Sequence, residues 1–191
     1  TLFYKAMQRP NVKLVTEGIE EITKQGIRTQ DGKEHELDAL IVSTGFDPTA
    51  YMRPMNMKGK NDVSIDDAWD QKILTYRSLF MPGFPNNFLM LGPNTPIGNY
   101  SVIAMSETQC GYILKMLKHW QDERFDEVDV STDTAKNFLQ YIREGMKNTV
   151  WLGGCNSWYL DKDGDPILWP YTWEKWVKEM AEPNLADFEL R

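Results

Sequence analysis

The residues of this chain best suited to do chemistry are Gly92-Pro93-Asn94-Thr95-Pro96, set between an apolar run, Phe88-Leu89-Met90-Leu91, and a helical pattern that begins near Ser101. A strand, a glycine turn and a helix in that order bring bare backbone and a partly positive helix N-terminus to the carboxyl edge of a sheet. An anionic or electron-rich cofactor can sit there. An ordinary strand-to-helix connection has the same composition, so this stretch alone leaves both readings open. The other reactive side chains do not assemble into a motif. Cys110 and Cys155 form neither a CxxC pair nor a zinc spacing, so no metal is expected, and they suggest a reducing, cytoplasmic setting. His35 precedes a strand in a polar stretch and His119 ends an amphipathic helix, which makes both most simply solvated or helix-capping groups.

The elements that must position the 92–96 turn follow from periodicity. Phe88 to Leu91, bounded by Pro85-Asn86-Asn87 and Gly92-Pro93, reads as a short strand buried on both faces. Beyond the turn, Ile103, Cys110, Ile113, Leu114, Leu117 and Trp120 recur at helical spacing, with Asn99 or Ser101 as the N-cap. Upstream, Val12–Thr16, Gly18–Thr23 and Gly26–Gln30 read as short strands of an antiparallel meander with a hairpin turn at Asp31-Gly32. Ala39–Thr44 reads as a second buried strand ending at a glycine, Gly45. Residues 49–80 read as an irregular connection with one helical turn near Ser64–Trp69. Downstream, Ala135, Phe138, Leu139, Ile142 and Met146 form an amphipathic stripe capped near Ser131 or Thr132 and closed by Gly145 and Asn148. An aromatic tail follows: six of the seven tryptophans lie after residue 119, more than one small core ordinarily requires.

Composition narrows the class. The chain has 191 residues, 41% hydrophobic and 26% charged, enough for one sizeable core or two small ones. A net charge of −7 without a Lys/Arg cluster argues against a nucleic-acid partner. No apolar run reaches the roughly 18 residues of a membrane span. The start, Thr1-Leu-Phe-Tyr-Lys, has neither an initiator Met nor a signal-peptide pattern, and reads as cut from something longer.

Five pieces occur in order along most of the chain: Asn11-Val-Lys-Leu-Val15, Gly26-Ile-Arg-Thr-Gln-Asp-Gly32, Leu37-Asp-Ala-Leu-Ile-Val-Ser-Thr-Gly-Phe-Asp47, Pro82-Gly-Phe-Pro-Asn-Asn-Phe-Leu-Met-Leu-Gly-Pro-Asn94 and Cys155-Asn-Ser-Trp-Tyr159. Together they resemble the C-terminal part of class B flavin-dependent monooxygenases of the Baeyer–Villiger type. The resemblance implies an α/β fold, the C-terminal part of a flavoprotein with two dinucleotide-binding domains. Residues 1–48 would end the NADPH domain and its return strand, 49–80 connect, and 81–191 complete the FAD domain. The Asp38–Asp47 segment resembles the "ATGF" return strand, with Ser43 in place of the usual alanine, and implies cofactor contacts at Gly45, Phe46 and Asp47.

By the same resemblance, Gly92, Pro93, Asn94, Thr95 and Pro96 lie against the flavin, and Ile97, Asn99 and Tyr100 face the substrate. The helix beyond points at the pyrimidine side of the ring, where reduction develops negative charge. A side chain at Gly92 is then expected to intrude on the ring. Asn156, Ser157 and Trp158 resemble the loop that closes over NADP, with Gly153-Gly154 as its hinge. The implied parent uses FAD, NADPH and O2 to insert one oxygen into a ketone, or to oxygenate a sulfide or amine, through a C4a-peroxyflavin. No GxGxxG, no family fingerprint with its central histidine and no peroxyflavin-stabilising arginine occur here. The missing N-terminal part is therefore an expected partner, no catalytic residue is assigned to this chain, and the 191 residues alone are expected to be inactive. The alternative is a non-catalytic module or partner subunit retaining part of a flavoprotein fold.

Overall fold

The computed structural model describes the chain except Thr1, Phe46, Pro48, Thr49, Ile97, Asn99, Glu123, Asn148, residues 154–158 and Pro166. Two compact units divide it, Thr1–Phe46 and Asp47–Arg191. The first opens with a short helix, α1 (Leu2–Met7), and carries an antiparallel meander of β1 (Ile19–Ile22), β2 (Gly26–Thr29) and β3 (Glu34–Glu36). Ile22 pairs with Ile27, and Ile27 with His35. The Asp31-Gly32 reversal is closed by the Gly32 N–H donating to the Thr29 carbonyl, while the Thr29 hydroxyl donates to Asp31 Oδ1 at 2.5 Å.

Two expected strands of this unit do not form. Neither residues 12–16 nor residues 39–45 pair with any described strand, and Leu40, Ile41 and Val42 are exposed, Ile41 at 87%. Extended backbone becomes a strand only when a neighbour supplies ladder partners, and the three-residue β3 presents none to 39–45.

The second unit contains α2 (Ile65–Asp70), α3 (Val102–Gln121), β4 (Val128–Val130), α4 (Thr132–Met146), α5 (Trp173–Glu179) and β5 (Phe188–Leu190). β4 pairs antiparallel with β5, so the last strand closes back on the middle of the chain. The main core joins Tyr76, Phe80, Tyr112, Met116, Phe138, Ile142, Trp169, Trp176 and Phe188. A smaller cluster of Ile65, Met81, Phe84 and Leu89 packs with Tyr51 and Trp69. Asp129, buried in β4, is compensated twice: Lys60 Nζ lies 2.7 Å from one carboxylate oxygen and the Gly83 N–H donates to the other at 3.1 Å.

Helix α4 has the expected face and cap. Ala135, Phe138, Leu139, Ile142 and Met146 are buried, and Ser131 Oγ accepts from the Thr134 N–H. Gly145 lies inside the helix, where a Cβ would come within 2.5 Å of the Tyr171 ring and 2.6 Å of Pro170. It is a packing position for the aromatic tail. Helix α3 is capped by Ser101, one of the two caps expected, but buries a different face: Met105, Gln109, Tyr112 and Met116 point inward, whereas Ile103 and Leu114 are 73% and 66% exposed. The helix is apolar on two sides, and periodicity alone does not say which side meets the core.

The strand expected over Phe88–Leu91 is not one. The Leu89 N–H donates to the Leu79 carbonyl, but Leu91 has φ 55°, which ends any ladder, and its N–H is taken by Gln109 Oε1 at 2.9 Å. No described helix is long and apolar enough to cross a membrane.

Candidate functional site

All five residues of the Gly92–Pro96 loop are buried. Asn94 adopts φ 70°, a left-handed conformation that asparagine tolerates better than most residues, and it turns the chain. Thr95 donates to the Gly92 carbonyl through both its N–H, at 3.2 Å, and its hydroxyl, at 2.5 Å. The loop is held from two sides. On one, the Thr75 hydroxyl lies 3.3 Å from the Pro93 carbonyl and 3.4 Å from Asn94 Oδ1. On the other, the Asn94 N–H donates to the Ile167 carbonyl at 2.8 Å and the Trp169 N–H to the Thr95 carbonyl at 3.3 Å, with Thr95 and Leu168 bridged in parallel.

These bonds consume much of the loop's polar backbone. What it offers a ligand is therefore a fixed shape more than a set of free donors. Gly92 faces inward: a Cβ there would stand 2.5 Å from the Ser78 carbonyl oxygen and 2.9 Å from the Leu89 side chain. The expected intrusion on a flavin ring is thus corrected, because the space beside Gly92 belongs to the chain itself. The loop's exposed continuation is Gly98, Tyr100 and the first turn of α3, where Ser101 Oγ accepts from the Ala104 N–H at 3.4 Å.

Tyr100, expected to face substrate, lies against Trp173 with ring centroids 5.4 Å apart and accepts the Trp173 N–H at its hydroxyl, leaving it 38% exposed. Ile97 and Asn99, expected beside it, lie outside the described residues, as do Phe46 and the expected NADP-closing residues Asn156, Ser157 and Trp158. Gly45, at φ 70° with open space around its Cβ position, is the last described residue of the first unit. Asp47 opens the second and stands 3.6 Å from Arg53. The structure therefore brings together residues 92–96 and Tyr100 with the 167–173 segment.

Sequence reasoning missed Gln109, Thr75 and the support beneath them. Gln109 is fully buried and fixes Leu91; a lone amide four residues after Met105 and three before Tyr112, on an otherwise apolar face, was the available signal. Arg77 donates to the Tyr76 hydroxyl at 2.8 Å, pairs with Glu179 at 3.5 Å and lies over the Tyr112 ring. Burial pushes the Tyr112 hydroxyl up to about 12, so it stays neutral beside that guanidinium. Among the described residues, the carboxylates of Asp161, Asp163 and Asp165 lie close enough to share a metal ion. The Lys72 ammonium already stands among them, 2.8 Å from Asp161 and 3.1 Å from Asp163.

No family model matches the chain. It is 40% identical over 189 residues to an uncharacterized monooxygenase of Mycobacterium bovis, covering 99% of this chain and 38% of that protein. It is 33% identical over 175 residues to a Baeyer-Villiger monooxygenase of Pseudomonas aeruginosa, covering 90% of this chain and 33% of the relative. The crystal structure of OTEMO complexed with FAD and NADP superimposes with a TM-score of 0.83 at 26% identity, over 100% of this chain and 37% of that one. The chain thus spans little more than a third of the proteins it matches. The order of its elements and the five sequence pieces agree with these matches: the chain is similar to Baeyer–Villiger monooxygenases and corresponds to the C-terminal region of their structures.

Proposed function

We propose that this chain serves as the C-terminal region of an FAD- and NADPH-dependent monooxygenase that inserts one oxygen atom from O2 into a ketone, or oxygenates a sulfide or amine, in a reducing, cytoplasmic setting. The observation that carries the reading is the buried Gly92–Pro96 loop, fixed by Thr75 on one side and Ile167 and Trp169 on the other. A rigidly held wall with few free donors suits a flat aromatic ring system and does not suit a pyrophosphate. The residues here fit the ring end of FAD: the 92–96 loop as a wall, and the N-terminus of α3 as a positive pole for charge developing on the ring. No glycine-rich dinucleotide turn is present, so the pyrophosphate would be seated by residues outside this chain. Bound FAD would supply hydride acceptance and oxygen activation. This chain's part would be to orient the ring and keep water from one edge of it.

Gly45, Phe46 and Asp47 would contribute at the junction with the NADPH domain, and Ile97, Asn99 and Tyr100 at the substrate side. Asn156, Ser157 and Trp158 would close over NADP. The test is purification of the protein that joins this chain to the upstream segment its relatives possess. A yellow protein that couples NADPH oxidation and O2 uptake to ester or S-oxide formation supports the proposal, and Trp158→Ala there should weaken NADPH binding and coupling while FAD stays bound. A colourless protein, or NADPH oxidation without any oxygenated product, would overturn it. The exposed α3 face of Ile103, Leu114 and Leu117 favours a second reading, a non-catalytic module that docks on another polypeptide. The colourless outcome is the one it predicts.

A further inference from the structure

The acidic turn Asp161-Lys-Asp163-Gly-Asp165 closes on itself: the Gly164 N–H donates to the Asp161 carbonyl, and Asp161 Oδ1 accepts the N–H groups of Asp163 at 3.0 Å and Asp165 at 2.9 Å. One oxygen of each carboxylate, Oδ2 in all three, converges on Lys72, whose ammonium contacts Asp161, Asp163 and Asp165. An ammonium carries three donors, and here each meets a different carboxylate. On the far side of the turn, Arg143 of α4 grips Asp165, with Nε donating to Oδ1 at 2.8 Å. Lys72 is 19% exposed and Asp161 7%, so these contacts are shielded more than ordinary surface pairs.

The clamp joins distant stretches, 89 to 93 residues apart in sequence. Those stretches are the two that enclose the 92–96 loop. Three residues after Lys72, Thr75 touches Pro93 and Asn94; shortly after Asp165, Ile167 and Trp169 bond Asn94 and Thr95. We propose that Lys72 is a positioning residue: by holding the 161–165 turn it fixes the separation of the two walls between which the Gly92–Pro96 loop is shaped. The clamp stands on its own contacts, while its value to a flavin rests on the function proposed above.

The test is amide hydrogen exchange on residues 1–191, following the Asn94 and Trp169 N–H groups against Tyr112 and Ile142 in the core helices. Lys72→Met should raise exchange at Asn94 and Trp169 by about tenfold or more relative to the core pair, a local opening and not a global one. Lys72→Arg, which keeps the cation, should restore most of the protection. If Lys72→Met does not fold, Asp163→Asn removes a half-exposed member of the clamp and is read the same way, with a smaller rise. Exchange that stays unchanged, or rises equally at all four amides, would overturn the proposal. The flavin absorption spectrum of the FAD-loaded longer protein separates the two claims. A shift in Lys72→Met that Lys72→Arg reverses supports both. Loop amides that open beneath an unaltered spectrum support the clamp and count against flavin lying on this loop.

Discussion

A Cβ at residue 92 would stand 2.5 Å from the Ser78 carbonyl, closer than real side chains approach backbone, and the carbonyl belongs to a turn that cannot easily give way. Gly92→Val is therefore expected to cost about 2–4 kcal/mol by overpacking, measured by thermal or denaturant unfolding with no cofactor added. A wild-type midpoint would contradict the assignment of that space to Ser78. Gln109→Leu keeps volume but leaves the Leu91 N–H without its acceptor, and about 1–2 kcal/mol of stability should be lost. At this scale the sequence was half legible. Gly92 could be recognised as a position requiring glycine, but the atom that requires it comes from a turn remote in sequence, which no local pattern reveals. Gln109 could have been found as a polar residue out of place on a buried face.

Helices α3 and α4 show what periodicity can and cannot decide. In α4 the apolar residues occupy one stripe and the rest is polar, so its face and, to within one residue, its cap were legible, whereas Gly145, read as closing the helix, lies inside it. In α3, aliphatic residues stand at Ile103, Leu114 and Leu117 while Met105, Tyr112 and Met116 form a second stripe; the more aliphatic stripe drew the reading and the other met the core. The difference is measurable within one helix. Met116→Ala should cost about 2–5 kcal/mol in the 191-residue chain, and Leu114→Gln less than about 0.5 kcal/mol. A large loss from Leu114→Gln would mean that this face is covered in solution. The strands expected at 39–45 and 88–91 fail for a related reason: short apolar runs identify backbone that is able to join a ladder, not whether a partner strand lies alongside.

For the whole chain, the clamp around Lys72 gives stability a pH window. A hydrogen bond from Arg143, and then one from Lys72, hold the Asp165 carboxyl below its ordinary value of 3.8; its contribution is present above that value and lost as pH falls through the lowered one. For Lys72, burial is the largest influence and acts downward, but its bonds to Asp161, Asp165 and Asp163 together raise it above 10.5. That contribution is full below 10.5 and disappears as pH rises through the raised value. The stability difference between wild type and Lys72→Met should be about 1–2 kcal/mol and flat from about pH 5 to about pH 9, shrinking at both ends. A difference independent of pH across the full range would show that packing of the lysine stem, and not its charge, holds the turn. The clamp itself was not legible: Asp161, Asp163 and Asp165 are visible as a spacing, but their cation arrives from a segment far upstream. The class of protein was legible only because five separate pieces stood in one order.

Arg77 and Ser78 both sit at positive φ, 51° and 58°, in a reversal closed by the Tyr76–Phe80 pair, and that reversal delivers the carbonyl facing Gly92. In evolutionary terms the three positions form a single character. A lineage that replaces the glycine must reshape the reversal as well, and one that reshapes the reversal releases the glycine from its constraint. Substitutions at 77, 78 and 92 should therefore covary among descendants of this sequence, and a lineage in which position 92 drifts freely while the reversal stays fixed would mark a chain whose loop has taken another course.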